Sequence, residues 1–156
     1  MKKLEWCLEQ KKGIKLVEPS ENLAIEYLNS AEESLRVLAK IKTDSKMWVA
    51  TTKYYVEYFT FYAFLMRIGV KTEIHSCTIE LARYLEEHGF IRKNVSAMLE
   101  DDKKLRIENQ YYLKNLPIST DLKKLRNFIL EIKELIDGLT ESKVQIIRAS
   151  LKTILE

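Results

Sequence analysis

The stretch Lys46 to Ile68, KMWVATTKYYVEYFTFYAFLMRI, contains neither proline nor glycine, and Gly69 follows it. It reads as one helix of about six turns. A surface helix carries a single apolar stripe at 3.6-residue spacing, but this one is apolar nearly all round. Tyr54, Tyr55, Tyr58, Phe59, Phe61, Tyr62 and Phe64 crowd its middle. Such a helix must be covered on several sides, by its own bundle and, where it also builds a dimer face, by a second subunit. Lys53, Glu57 and Arg67 cut the run below the roughly 18–20 apolar residues of a bilayer span. Each tyrosine can bury its ring while its hydroxyl finds a partner or a wet interface.

The remaining segments are arranged around this helix. Lys3–Gln10 is a short helix closed by Gly13, and Ile14, Leu16 and Val17 form an extended connector. Ser20 is the expected N-cap of a helix ending near Lys42. Its residues Leu23, Ala24, Tyr27, Leu28, Ala31, Leu35, Leu38 and Ala39 keep helical spacing. Thr43-Asp44-Ser45 is short enough to make this helix antiparallel to the central one. Cys77–His88 is helical, with Ser76 or His75 at its N-terminus and Gly89 as its C′ residue. Another helix lies within Arg92–Lys114. Pro117 breaks the chain, Thr120-Asp121 caps a helix over Leu122–Asp137, and Thr140–Leu155 forms the last. No strand is expected. The fold class is all-α, an up-down antiparallel bundle of four to five core helices with extra N- and C-terminal helices. One domain is expected over 1–156, with a core at about 20–115 and a C-terminal extension at about 120–156.

Composition narrows the functional classes. With 4 Gly and 2 Pro in 156 residues, long helices and short loops are favoured. A net charge of +3 permits RNA contact without demanding it, since no dense basic block is present. The Lys-, Glu- and Ile-rich composition would suit a thermophile. Cys7 and Cys77 have no CxxC context and are expected to be inert thiols. The first residues, MKKLEWCLEQKKG, lack a signal-peptide apolar core, so a cytoplasmic protein without a membrane segment is expected.

The common catalytic and phosphate-cradling motifs are absent, and no metal or cofactor is expected. His88, at a helix C-terminus, fits a structural role. His75 can cap or contact the core. Glu100-Asp101-Asp102-Lys103-Lys104 reads as a solvated face. The remaining candidate is Leu105 to Tyr112: on a helix Arg106, Asn109 and Gln110 share a face at i, i+3 and i+4, and Tyr111 and Tyr112 follow. An arginine among amides and phenols can hold a phosphate by bidentate hydrogen bonds. The plainer alternative pairs Arg106 with Glu108 or Asp102 and packs the tyrosines as core.

Three pieces in order resemble the HEPN domain, particularly the small stand-alone archaeal and bacterial HEPN proteins. They are Tyr54-Tyr55-Val56-Glu57-Tyr58-Phe59, then Arg67-Ile68-Gly69-Val70-Lys71-Thr72-Glu73-Ile74-His75-Ser76, then Leu105-Arg106 to Tyr111-Tyr112. The likeness spans roughly Asn22 to Lys114, and KKGIKLVEPSENLA resembles the extension of one archaeal branch. The resemblance implies a homodimeric helical bundle. It also implies a metal-independent ribonuclease that uses an arginine and a histidine four to six residues apart. A small nucleotidyltransferase is the implied partner, as in toxin–antitoxin pairs. Arg106 matches the family arginine. Ile107 replaces the usual polar residue, however, and Gln110, Tyr111 and Tyr112 stand where the histidine belongs.

Two functions are therefore carried forward. In the first, the chain is the HEPN component of such a pair and acts on RNA through Arg106 with Tyr111, or with His75 brought in by folding. Asn109, Gln110 and Tyr112 would lie at the groove. In the second, the same groove is a non-catalytic nucleotide- or protein-binding module. In a variant, Tyr111 or Tyr112 accepts a nucleotidyl group from the partner enzyme.

Overall fold

In the computed structural model, which describes residues 2–156, helices begin and end where capping chemistry allows. The first helix, α1, is Lys2–Glu9; the second, α2, is Glu21–Ile41; the third, α3, is Lys46–Ile68. Ser20 Oγ accepts the Leu23 amide at the start of α2, and Ser45 Oγ accepts the Trp48 amide at the start of α3. These bonds satisfy amide groups that a helix start leaves open. The four-residue turn 42–45 folds α3 back along α2. Ala24, Leu28, Ala31, Leu35 and Leu38 of α2 are buried as a stripe. α3 is buried from Tyr54 to Ile68 except at Tyr55 and Phe59, which are half-buried.

Gly69 terminates α3 in the left-handed conformation, φ 75°. A Cβ there would also stand 2.4 Å from both Val17 O and Arg148 Nη1. Only glycine meets both demands. Beyond it the structure corrects the expectation of no strand. Ile14–Leu16 (β1) pairs antiparallel with Val70–Thr72 (β2), Lys15 facing Lys71. Three-residue strands are too short to show a period of two, and their pairing crosses more than fifty residues of chain. The pairing holds the N-terminal segment at the end of α3.

Four further helices complete the chain: α4 (His75–Glu87), α5 (Val95–Gln110), α6 (Leu122–Asp137) and α7 (Glu141–Leu155). Neither His75 nor Ser76 caps α4; Ile74 occupies the N-cap and offers no side-chain oxygen. The start of α5 is held from outside: Glu86 of α4 accepts the Ser96 amide and, at 2.9 Å, its hydroxyl. Asp121 and Thr140 cap α6 and α7. α3 packs against α2, α5, α6 and α7, so one chain covers it on several sides. α6 also packs on α2. Arg148 of α7 donates to three carbonyls, Val17, Ile68 and Gly69, at 2.8–3.0 Å. The C-terminal helices therefore belong to the same bundle as the core. No described helix is long and apolar enough to cross a membrane.

The cysteines are also corrected. Cys7 of α1 and Cys77 of α4 form a disulfide, with Cα atoms 5.5 Å apart. Seventy residues of sequence separate them, so only the tertiary fold reveals the pair. α1 otherwise rests mainly on α4, through partly buried Leu4 and Leu8.

Candidate phosphate site

The aromatic crowding of α3 has a specific consequence at its N-terminal half. Tyr54, Tyr55 and Tyr58 lie near the start of α4, whose first residue is His75. The His75 ring stacks on Tyr58, centroids 4.3 Å apart and 10° from parallel. Its Nδ1 lies 2.8 Å from the Tyr54 hydroxyl. β2 sets this position, because the chain leaves α3 at Gly69, runs three residues as strand and returns immediately beside the tyrosines.

Arg106 approaches from α5. Its guanidinium carbon sits 5.0 Å from the Tyr54 ring centroid and 5.6 Å from that of Tyr55. Nη1 donates to the Tyr55 hydroxyl at 3.2 Å. A cation over two aromatic faces gains about 0.5–2 kcal/mol per contact, depending on solvation. Arg106 makes no ion pair among the described residues. Asp102, one partner the plainer alternative offered, is taken by Lys53 at 3.2 Å, and Glu108 by Lys114 at 3.6 Å. Arg106 Nε is buried without an acceptor. An unmatched buried donor costs about 1–3 kcal/mol.

The electrostatics follow from this placement. Burial lowers the His75 pKa from 6.5 to about 4, reinforced by Arg106 and then Lys103, so the ring is neutral at pH 7. Burial raises the Tyr54 hydroxyl well beyond its ordinary range, and pushes Tyr58 up to about 12; both stay protonated. Lys103, one turn before Arg106, has a lowered pKa, first from desolvation and then from Arg106. The result is two cations at i and i+3, a neutral imidazole and phenol hydroxyls, with no carboxylate among the described residues bound to either cation. Such a constellation stabilises an anion.

The depressed histidine gives a signed prediction. The unfolded chain binds a proton near pH 6.5 and the folded chain only near pH 4, so His75 contributes stability that is complete above 6.5 and is lost as pH falls toward 4. Denaturant unfolding at pH 7.0 and 4.5 should show a smaller stability difference for His75→Gln than for the wild type. Equal differences would mean His75 titrates normally.

The other sequence candidates are placed elsewhere. Asn109 is buried, donating to Leu116 O at 3.1 Å and accepting the Leu116 amide at 2.7 Å. It braces the loop after α5. Gln110 Oε1 lies 3.4 Å from the Thr51 hydroxyl. Tyr111 and Tyr112 are 66% and 69% exposed beyond the end of α5, and neither bonds to Arg106. Of the candidates, only Arg106 and His75 are brought together. Tyr54, Tyr55 and Lys103 join them: in the sequence the two tyrosines belong to the aromatic crowding and the family resemblance, not to the candidate site residues, and for Lys103 the spacing of three from Arg106 was the available signal. His88 hydrogen-bonds Tyr84 O at 2.8 Å and stacks on the Tyr84 ring, in keeping with a structural role.

No family model, no curated protein and no solved structure matches the chain.

Proposed function

We propose that the chain is a HEPN-type module that binds the phosphate of RNA or a nucleotide at Arg106. The observation that carries this reading is a guanidinium seated on two tyrosine rings, unpaired with any carboxylate among the described residues, beside Lys103 and a neutral histidine. Arg106 and Lys103 would neutralise the phosphate. His75, rather than Tyr111, would move the proton in metal-independent cleavage: it would take it from a ribose 2′-hydroxyl as that oxygen attacks the phosphorus, the P–O5′ bond would break, and the departing 5′-oxygen would receive a proton back, leaving a 2′,3′-cyclic phosphate. Burial is the first cause of the lowered His75 pKa; a phosphate placed there would counter the second and third, the charges of Arg106 and Lys103, and so raise it.

A second reading, non-catalytic binding, is favoured by the same histidine. With a pKa of about 4, about one ring in a thousand is protonated at pH 7. Without the phosphate-induced rise it cannot serve as an acid.

The proposal extends to partners. Val37 and Trp48 are exposed around a shallow cleft with Tyr55 and Phe59, and Arg106 touches Tyr55. A homodimer built on this face would bring a second copy close to the phosphate site. A minimal nucleotidyltransferase in a toxin–antitoxin-like pair is the other partner of this reading, with the exposed Tyr111 and Tyr112 open to modification. A cytoplasmic location belongs to the same proposal.

The test is binding and cleavage of a mixed RNA in excess EDTA. Arg106→Ala should weaken binding about 10- to 100-fold, the worth of a charge-assisted hydrogen bond. His75→Gln should leave binding in place and stop cleavage. Wild-type protein that binds RNA without cutting it moves the assignment to the binding module. An Arg106→Ala variant with unchanged affinity removes both readings.

A further inference from the structure

Next to the Arg106 cluster lies a cleft of about 390 Å³ between α1, α4 and α5. One wall is apolar: Trp6, Ile79 and the Cys7 half of the disulfide. Trp6 is 48% exposed, an indole left open on a helix otherwise anchored by its neighbour Cys7. Lys3 and Lys103 supply positive charge. Lys103 feels both Lys3 and Arg106, and Ser76 of the cleft directly follows His75. Lys103 therefore lines the cleft and stands one helical turn before Arg106 on α5. Glu80 and Glu100 provide acceptors: Arg83 engages one oxygen of each, and no hydrogen bond among the described residues takes the other.

We infer that this cleft is the base-binding half of the site, in which Trp6 stacks a nucleobase whose phosphate is held by Lys103 and Arg106. The inference rests on the phosphate reading above and adds the ligand's class. An apolar wall with an open indole suits any base, since stacking is indifferent to sequence. The carboxylates are selective: each keeps one oxygen open to an N–H donor, and guanine alone presents two adjacent donors, N1–H and the 2-amino group. The volume lies in the range of small-ligand sites, and most of the lining area is apolar although four of the eight lining residues are charged. The disulfide ties Cys7, the residue after Trp6, to α4, so the helix that carries the indole is held at the cleft before any ligand arrives. That spares the ligand the entropy of ordering it.

The experiment is calorimetric titration of the oxidised full chain with guanosine 5′-monophosphate, uridine 5′-monophosphate, guanosine and inorganic phosphate. It is read beside the His75 ring signals in proton NMR, which two histidines make simple to assign. Guanosine monophosphate should bind about tenfold tighter than uridine monophosphate. Trp6→Ala should weaken it about tenfold while leaving the His75 response to inorganic phosphate intact. Trp6 is half-exposed, so this variant should fold. Glu100→Gln, on an exposed side chain, should flatten the preference for guanine. Guanosine monophosphate binding no tighter than phosphate, or Trp6→Ala binding it as wild type does, overturns the base subsite and leaves the phosphate reading standing. Guanosine held through Trp6 with no His75 response to phosphate removes the phosphate reading instead. Absence of binding by all four compounds removes both.

Discussion

Reducing the Cys7–Cys77 disulfide is expected to lower the thermal midpoint by about 8–16 °C. The bond closes a loop of seventy residues. Constraining a loop of that length in the unfolded chain is worth about 4 kcal/mol in the chain-entropy account. For a chain of this size each kcal/mol shifts the midpoint by about 2–4 °C. The effect should concentrate at α1, whose remaining hold on the bundle is mainly the packing of Leu4 and Leu8 on α4. Calorimetry with and without a phosphine reductant, beside the Cys7→Ser/Cys77→Ser variant, measures the global part. Trypsin cleavage at Lys11 and Lys12 measures the release of α1. A midpoint that moves by less than about 2 °C, with no faster cleavage, would show that the bond constrains little. The bond also bears on the proposed location. Reducing cytosol breaks such bonds in most organisms, whereas intracellular proteins of hyperthermophiles keep them, and the Lys-, Glu- and Ile-rich composition fits the latter.

Helix positions were legible because their signals are local. Ser20, Ser45, Asp121 and Thr140 cap the helices they precede, and Gly69 ends the central one as a left-handed residue. The β1–β2 pair and the disulfide were not legible, because each joins residues more than fifty apart with no periodic trace in the sequence. The site was half legible. Arg106 stood out by its amide and tyrosine neighbours in sequence, yet its partners come from α3 and α4. Tyr111 and Tyr112 were candidates by proximity along the chain, but α5 ends at Gln110 and Asn109 fastens the following loop to Leu116. Helical spacing no longer applies past that point. Lys103 looked like part of a solvated charged face, but in the fold it is half-buried and desolvation lowers its pKa.

Replacing Lys53 with methionine should cost about 3 kcal/mol, although Lys53 lies outside the phosphate site. The Lys53–Asp102 pair joins α3 to α5 with side chains 15% and 9% exposed. Removing one partner of a buried pair typically costs 3–5 kcal/mol, because the other charge is left uncompensated. The low end applies because a second group softens the loss. Glu57 is buried, with Oε1 lacking any donor among the described residues; burial first, and then its interaction with the Asp102 carboxyl, hold its pKa well above the ordinary carboxyl value. Glu57→Gln keeps a donor and should cost under about 1 kcal/mol. Glu57 also contributes a pH dependence opposite to that of His75. Its stabilisation is complete below the unfolded value of 4.5 and is lost as pH rises through the elevated folded value, so Glu57→Gln should hold its stability better on the alkaline side. Urea unfolding of both variants and of Lys53→Met/Asp102→Leu tests the account. Equal costs for Lys53→Met and Glu57→Gln would defeat it, and the double variant should recover most of the loss, since an apolar pair can replace a buried ion pair. The α3–α5 seam also carries the Thr51–Gln110 and Tyr55–Arg106 contacts. A double variant that regains stability but binds phosphate more weakly would therefore show that the ion pair sets the register of α5, and with it the seat of Arg106 on the two tyrosines.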